Sequence, residues 1–173
     1  MRSMRVAALW AVFCFLMNPV AVASRGEAGP GPQVTAVAAA VIDYSSGTLL
    51  YGKRAHHLMH PASVTKMMTA ILALERGHAG DVVTVSEYAA YTPGSCVGLA
   101  PGSRFLLEDL VAGLMLVSGN DAAVAIAEHI AGSERAFVEL MNEKAREIGA
   151  MNTTFTNPHG LTEPGHITTA YDL

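Results

Sequence analysis

The chain has 173 residues, 51% hydrophobic and only 15% charged, enough for one domain with a real core and too apolar for disorder. Its formal net charge of −4 gives no electrostatic case for a nucleic-acid partner. Two cysteines, Cys14 and Cys96, and no histidine or cysteine set at convincing metal-ligand spacing exclude a disulfide scaffold and give no reason to expect a metal or other cofactor.

Arg2 and Arg5, an apolar run from Val6 to Met17 and the triplet Ala21-Val22-Ala23 follow one another as the three parts of a secretory signal peptide, cut after Ala23. The run is too short for a membrane-spanning helix of about 20 residues, which makes an uncleaved anchor the lesser alternative. Cleavage removes two arginines and no acid, so the net charge moves from −4 to −6, and Cys96 is left without an internal partner, either buried or as an exposed free thiol. Residues 24–33, rich in Gly and Pro, read as a flexible lead-in.

From Val34 to Asp43 a run of Val, Ala and Ile predicts a buried strand, and Ser45-Ser46-Gly47 turns it into a second strand, Thr48 to Tyr51, as a hairpin. Lys53 to His60 is a polar connection. Its histidines, His56, His57 and His60, stand in a segment without helical pattern or nearby carboxylate, and loop histidines are the better reading than metal ligands.

A helix is expected from about Ser63 to a left-handed Gly77, and a short strand over Asp81–Val85. Ser86 caps a helical turn, residues 92–102 form a loop with two prolines and three glycines, and Arg104–Leu107 makes another short strand. Three apolar helices follow. Glu108–Val117 turns Leu110, Val111, Leu114 and Met115 inward; Asp121–Ile130 is closed by Gly132. A helix capped by Ser133 buries Phe137, Leu140, Met141, Ala145 and Ile148. Asn152–Leu161 reads as an ordered irregular segment, and Thr169–Leu173 as the start of another helix.

The chemistry-bearing stretch is Pro61-Ala62-Ser63-Val64-Thr65-Lys66. Residues three apart share a helix face, so the Lys66 amine is within reach of the Ser63 hydroxyl, which needs a base to become a nucleophile at neutral pH. Taken alone, S-x-x-K is weak, and a capping serine followed by a solvated lysine is the better account of it. Ser118-Gly119-Asn120, at the end of the next long helix, changes that balance.

With both motifs the chain resembles the serine D-alanyl-D-alanine carboxypeptidases, the low-molecular-mass penicillin-binding proteins. The resemblance runs from about Val34 to the last residue and includes Leu116–Ala123, Phe137–Asn142, Asn152–Phe155, Asn157–Leu161 and Thr169–Leu173. It implies an α+β fold of the β-lactamase/penicillin-binding transpeptidase type, a helical subdomain beside an antiparallel sheet. It also implies that Ser63 forms the acyl ester, Lys66 is the general base, Ser118 relays protons and Asn120 binds the peptide substrate. No cofactor is implied. The substrate is a peptidoglycan stem peptide ending in D-Ala-D-Ala, β-lactams acylate the same serine, and the place of action is the periplasm or the outer face of the cytoplasmic membrane. His159, the other candidate base, is placed by the resemblance in a structural turn.

The family's third motif, Lys-Thr-Gly on a strand lining the site, does not occur in this sequence. The expectation is therefore a signal peptide (1–23), a lead-in (24–33) and a partial catalytic domain (34–173) truncated before that motif. Only the N-terminal hairpin of the sheet would remain, and any membrane-associating segment would be missing. Such a fragment is expected to be inactive alone, with apolar helix faces such as Leu110–Leu114 left in water. Within the same reaction class a DD-endopeptidase is the near alternative. A β-lactamase fits less well, because Gly119 stands where class A enzymes have Asp and Glu139-Leu140-Met141-Asn142 is one residue short of their Glu-x-x-Leu-Asn. From another class, the alternative is an inert, wall-binding product.

Overall fold

The structure, a computed structural model, describes residues 31–173. The signal peptide expected at 1–23 lies outside the described residues. The order of elements is β1 (Ala39–Ile42), β2 (Leu49–Lys53), a 3₁₀ turn (Ala62–Thr65), α1 (Lys66–Arg76), β3 (Val82–Thr84), α2 (Glu87–Ala90), β4 (Arg104–Leu106), α3 (Leu107–Leu116), α4 (Asn120–Ala131) and α5 (Glu134–Glu147). Two antiparallel ribbons, β1–β2 and β3–β4, accompany the helices. This is a partial α+β arrangement, as the sequence pattern implies.

The first hairpin forms where expected because Asp43 closes its turn. The Asp43 carboxylate accepts from the Ser46 backbone N–H at 2.9 Å, while Gly47 takes the positive φ of 69° that the reversal needs. The strand itself is shorter than the apolar run and is not buried, with Val41 and Ile42 exposed, because a two-stranded ribbon covers neither of its own faces.

α4 is the centre of the helical layer. Ala122 to Ala127 are all fully buried, and four of these six residues are alanines, so α1, α2, α3 and α5 approach closely around it. On one side Leu107, Leu110, Leu114, Val83 and Val85 form a core with α4. On the other, Leu72, Phe137, Met141, Ala145 and Phe155 form a second. Leu110 and Leu114 are thus each about 1% exposed, contrary to the expectation that an incomplete sheet leaves them in water: α3 packs chiefly on α4 and α1. Met115 and Ile148, expected inside, are exposed instead: Met115 lies past the edge of α3's buried stripe, and Ile148 is in line with that of α5 but is the residue that caps the helix, past its last turn.

The caps follow the sequence. Ser86 and Ser133 accept from the backbone N–H groups of Ala89 and Ala136, and Gly132 ends α4 in the left-handed conformation. Gly77 does not: it ends α1 extended (φ −106°, ψ 172°). Space is what requires a glycine there. A Cβ would strike Leu107 Cδ2 and stand 2.9 Å from Ile130 Cδ1 and 3.0 Å from the Ala73 carbonyl oxygen. Gly77→Ala is therefore expected to destabilise by about 1–3 kcal/mol through overpacking. Urea unfolding checks this, and an unchanged midpoint would show that the junction of α1, α3 and α4 has room to spare.

Candidate active site

Ser63 is not in the first turn of the α-helix but in the 3₁₀ turn before it, and Lys66 is the first residue of α1. In 3₁₀ geometry residues i and i+3 eclipse each other, so the turn aligns Ser63 over Lys66 more directly than α-helical spacing does. Val64 and Met67 remain exposed on the outer side while Thr65, Lys66 and Thr69 are buried. One strained residue leads into the turn: Ala62 has φ 49°.

Lys66 is 3% exposed, yet among the described residues no carboxylate forms an ion pair with it. Its Nζ donates to Asn120 Oδ1 at 2.7 Å and to the His159 carbonyl oxygen at 2.6 Å. Burial holds the amine below its ordinary pKa of 10.5, because the ammonium form loses hydration without gaining a counter-charge. No hydrogen bond joins Nζ to Ser63 Oγ among the described residues, but Ser63, Lys66 and Ser118 line one open cleft of about 310 Å³ together with Leu114 and Met115.

Ser118 sits in the break between α3 and α4 with φ 61°, a second strained residue. Its Oγ is buried and without a hydrogen-bond partner, the sole such side-chain oxygen or nitrogen among the described residues. A buried orphan hydroxyl costs stability, and it is tolerated at sites where function uses it. Asn120 begins α4, 4% exposed. With Oδ1 turned to Lys66, its Nδ2 donates to the Pro93 carbonyl at 2.7 Å, which leaves one N–H proton for a further acceptor.

The neighbouring Asp121 was not singled out by sequence. Its fully buried carboxylate accepts from the backbone N–H groups of Val97, Gly98 and Leu99 at 2.9–3.0 Å and from that of Ala122. Burial pushes its pKa up, but these N–H groups outweigh burial and hold it below 3.8. Asp121 thereby pins the loop that carries Pro93 and Ser95, both of which accept from Asn120.

Among the described residues no hydrogen bond joins the His159 imidazole to Ser63. Burial, then the Lys66 charge, lowers its pKa to about 4, so it is neutral at pH 7 and its 3.6 Å approach to Glu134 is not an ion pair there. Its Nδ1 accepts from the Leu161 N–H, and only its backbone carbonyl reaches Lys66. The three loop histidines diverge: His56 stacks on Tyr171, His57 meets Arg54, and His60 meets the His166 carbonyl. Cys96 is exposed and free.

The sequence profile of the D-alanyl-D-alanine carboxypeptidase family, peptidase family S11, matches residues 24–173. The D-alanyl-D-alanine carboxypeptidase DacF of Bacillus subtilis is 45% identical over 143 residues, 80% of this chain and 37% of its own length. DacC of Escherichia coli is 37% identical over 181 residues, 98% of this chain and 45% of its own. Among solved structures, penicillin binding protein 5 from Haemophilus influenzae superposes with a TM-score of 0.77 at 41% identity, covering 82% of this chain and 44% of that one. The D-alanyl-D-alanine carboxypeptidase from Mycobacterium tuberculosis gives 0.78 at 35% identity, covering 85% and 56%. The chain thus spans less than half the length of these curated relatives.

Asp121→Asn is expected to lower stability at pH 7 by about 2 kcal/mol, the scale of hydrogen bonds to a charged group. Because the folded pKa of Asp121 is depressed, its contribution is complete above the unfolded value of 3.8 and disappears as pH falls through the folded one. The gap between wild type and variant in urea midpoint should therefore close on acidification; a gap constant down to pH 2 contradicts the assignment.

Proposed function

The chain belongs to the D-alanyl-D-alanine carboxypeptidase family S11, and we propose that it carries the acylation half of an exported serine carboxypeptidase that removes the terminal D-alanine from peptidoglycan stem peptides. The observation that carries this reading is the Lys66 amine, buried without a counter-ion among the described residues and lining one cleft with Ser63 and with Ser118, whose hydroxyl has no partner among them. A lysine in that environment gives up its proton more readily than one in water, which is what a general base for serine requires.

In this reading neutral Lys66 takes the Ser63 proton as Oγ attacks the carbonyl of the penultimate D-alanine. Ser118 Oγ, free of other partners, passes a proton to the departing D-alanine amine. Water then hydrolyses the acyl ester. Asn120 spends its remaining N–H on the bound peptide. A β-lactam acylates Ser63 by the same first step and leaves nothing to depart. The Lys-Thr-Gly strand expected to hold the substrate carboxylate and donate to the oxyanion is not among these residues, so the activity proposed is that of the protein with that strand. Export rests on the segment containing Arg2, Arg5 and Ala21–Ala23; among the described residues no helix is long and apolar enough to cross a membrane.

Penicillin is expected to add covalently to Ser63 and to no other residue, as read by mass spectrometry of the digested protein, and an adduct on Ser118 instead would reverse the roles. The acylation rate should rise with pH through the lowered Lys66 pKa, since only the neutral amine accepts a proton. Lys66→Arg keeps the charge but puts in a group that stays protonated near neutral pH and so offers no base, and acylation should be lost.

A further inference from the structure

We propose that Asn157 is a positioning residue for the base: its buried carboxamide fixes a turn whose backbone orients the Lys66 amine and supports the peptide before Ser63. This rests on the reading of Ser63 and Lys66 given above.

A neutral amine has two N–H bonds and one lone pair. In this structure two acceptors, Asn120 Oδ1 and the His159 carbonyl, take two N–H directions of Lys66 Nζ. With Cε and both protons fixed, the direction of the lone pair is fixed as well, on a residue that shares its cleft with Ser63 and Ser118. One of the two fixing acceptors is a main-chain atom in a segment without regular secondary structure. Something must hold that segment still.

Asn157 does so with both ends of its side chain. It is 1% exposed; its Oδ1 accepts from the Gly160 N–H at 2.7 Å and more weakly from the His159 N–H at 3.3 Å, and its Nδ2 donates to the Leu161 carbonyl at 2.9 Å. The three residues inside this clasp each touch the nucleophile segment. The Pro158 carbonyl accepts from Thr69 Oγ1 at 2.6 Å, the His159 carbonyl from Lys66, and Gly160 lies against the Ala62–Ser63 peptide. A Cβ at Gly160 would collide with the Ala62 carbonyl and stand 3.0 Å from the Ser63 nitrogen, and Gly160 has φ +93°, so no other residue suits the position. The clasp therefore presses on the backbone just where Ala62 is held at its strained φ of 49°.

The test is penicillin acylation of the full-length protein and of its Asn157→Ala and Asn157→Asp variants across pH. The acylation rate is taken per titrated active site, so that misfolded molecules drop out of the count. Both variants should acylate about 10²-fold more slowly at saturating penicillin, the scale of a displaced catalytic group, with little change in the concentration giving half-maximal rate. The acidic limb of the pH profile should move to lower pH, because a withdrawn carbonyl no longer favours the ammonium form. A merely loosened, wetter site would relieve desolvation and move the limb to higher pH; that result, or an unchanged rate per site, overturns the proposal. Should Asn157→Ala not fold, Thr69→Val removes only the Pro158 contact and should show the same signature at about 10-fold. A wild type that forms no Ser63 adduct instead refutes the function on which the proposal rests, which separates the two failures.

Discussion

The structure depends on one lysine amine having been taken out of water without a counter-ion. Placing an ammonium in a protein interior costs several kcal/mol unless it is paired, and the usual relief is loss of the proton. Lys66 is 3% exposed and among the described residues meets only neutral oxygens, one from the first residue of α4 and one from the backbone of the 157–160 turn. Those two acceptors come from parts of the chain 54 and 93 residues away, so the amine is where three separate segments are tied together. Their neutrality matters. A carboxylate in either position would have stabilised the charged form and removed the base.

That arrangement needs a rigid support, which α4 provides. Its alanines let four helices approach, and its first turn holds both the Lys66 acceptor, Asn120, and the loop clamp, Asp121. Aspartate at that place also favours the positive end of the helix. The same carboxylate that pins residues 97–99 thus contributes to the stability of the helix that holds Asn120. Among the described residues the non-glycine positions with positive φ are Ala62 and Ser118, both at the candidate site, and Arg54 outside the cleft.

Large apolar side chains left exposed among the described residues include Val41, Ile42 and Leu50 on the hairpin, Met67 and Met115 at the cleft, and Leu74, Leu116, Val117, Ile148 and Met151 on the outer sides and ends of the helices. The helices close one core together with Val83 and Val85 and a second with Phe155, without needing the hairpin. This explains why the apolar faces of α3 and α4 are dry although the sheet consists of only two short ribbons.

By itself the sequence determined most of the elements and which residues are candidates for the site, though the first strand is shorter than its apolar run and Thr169–Leu173, read as the start of a helix, forms only turns. Helix periods, the Ser86 and Ser133 caps and the hairpin turn are local, each set by residues within a few positions of one another, and the motifs at Ser63–Lys66 and Ser118–Asn120 name the reacting groups by type. Tertiary structure decided what those groups experience. Periodicity told that α3 has an apolar face but not that α4 would cover Leu110 and leave Met115 outside. Gly77 read as a left-handed cap, but what requires glycine there is the nearness of Leu107 and Ile130, residues 30 and more positions away. His159 drew notice for its imidazole, whereas its contribution to the site is a carbonyl, an atom every residue has and no sequence pattern marks. Asn157 and Asp121 stand within the segments that carry the resemblance, but nothing in the sequence assigns either a role. Burial, the lost hydration of Lys66 and the hydrogen bonds that steer it arise from contacts between distant segments, and those exist only once the chain has folded.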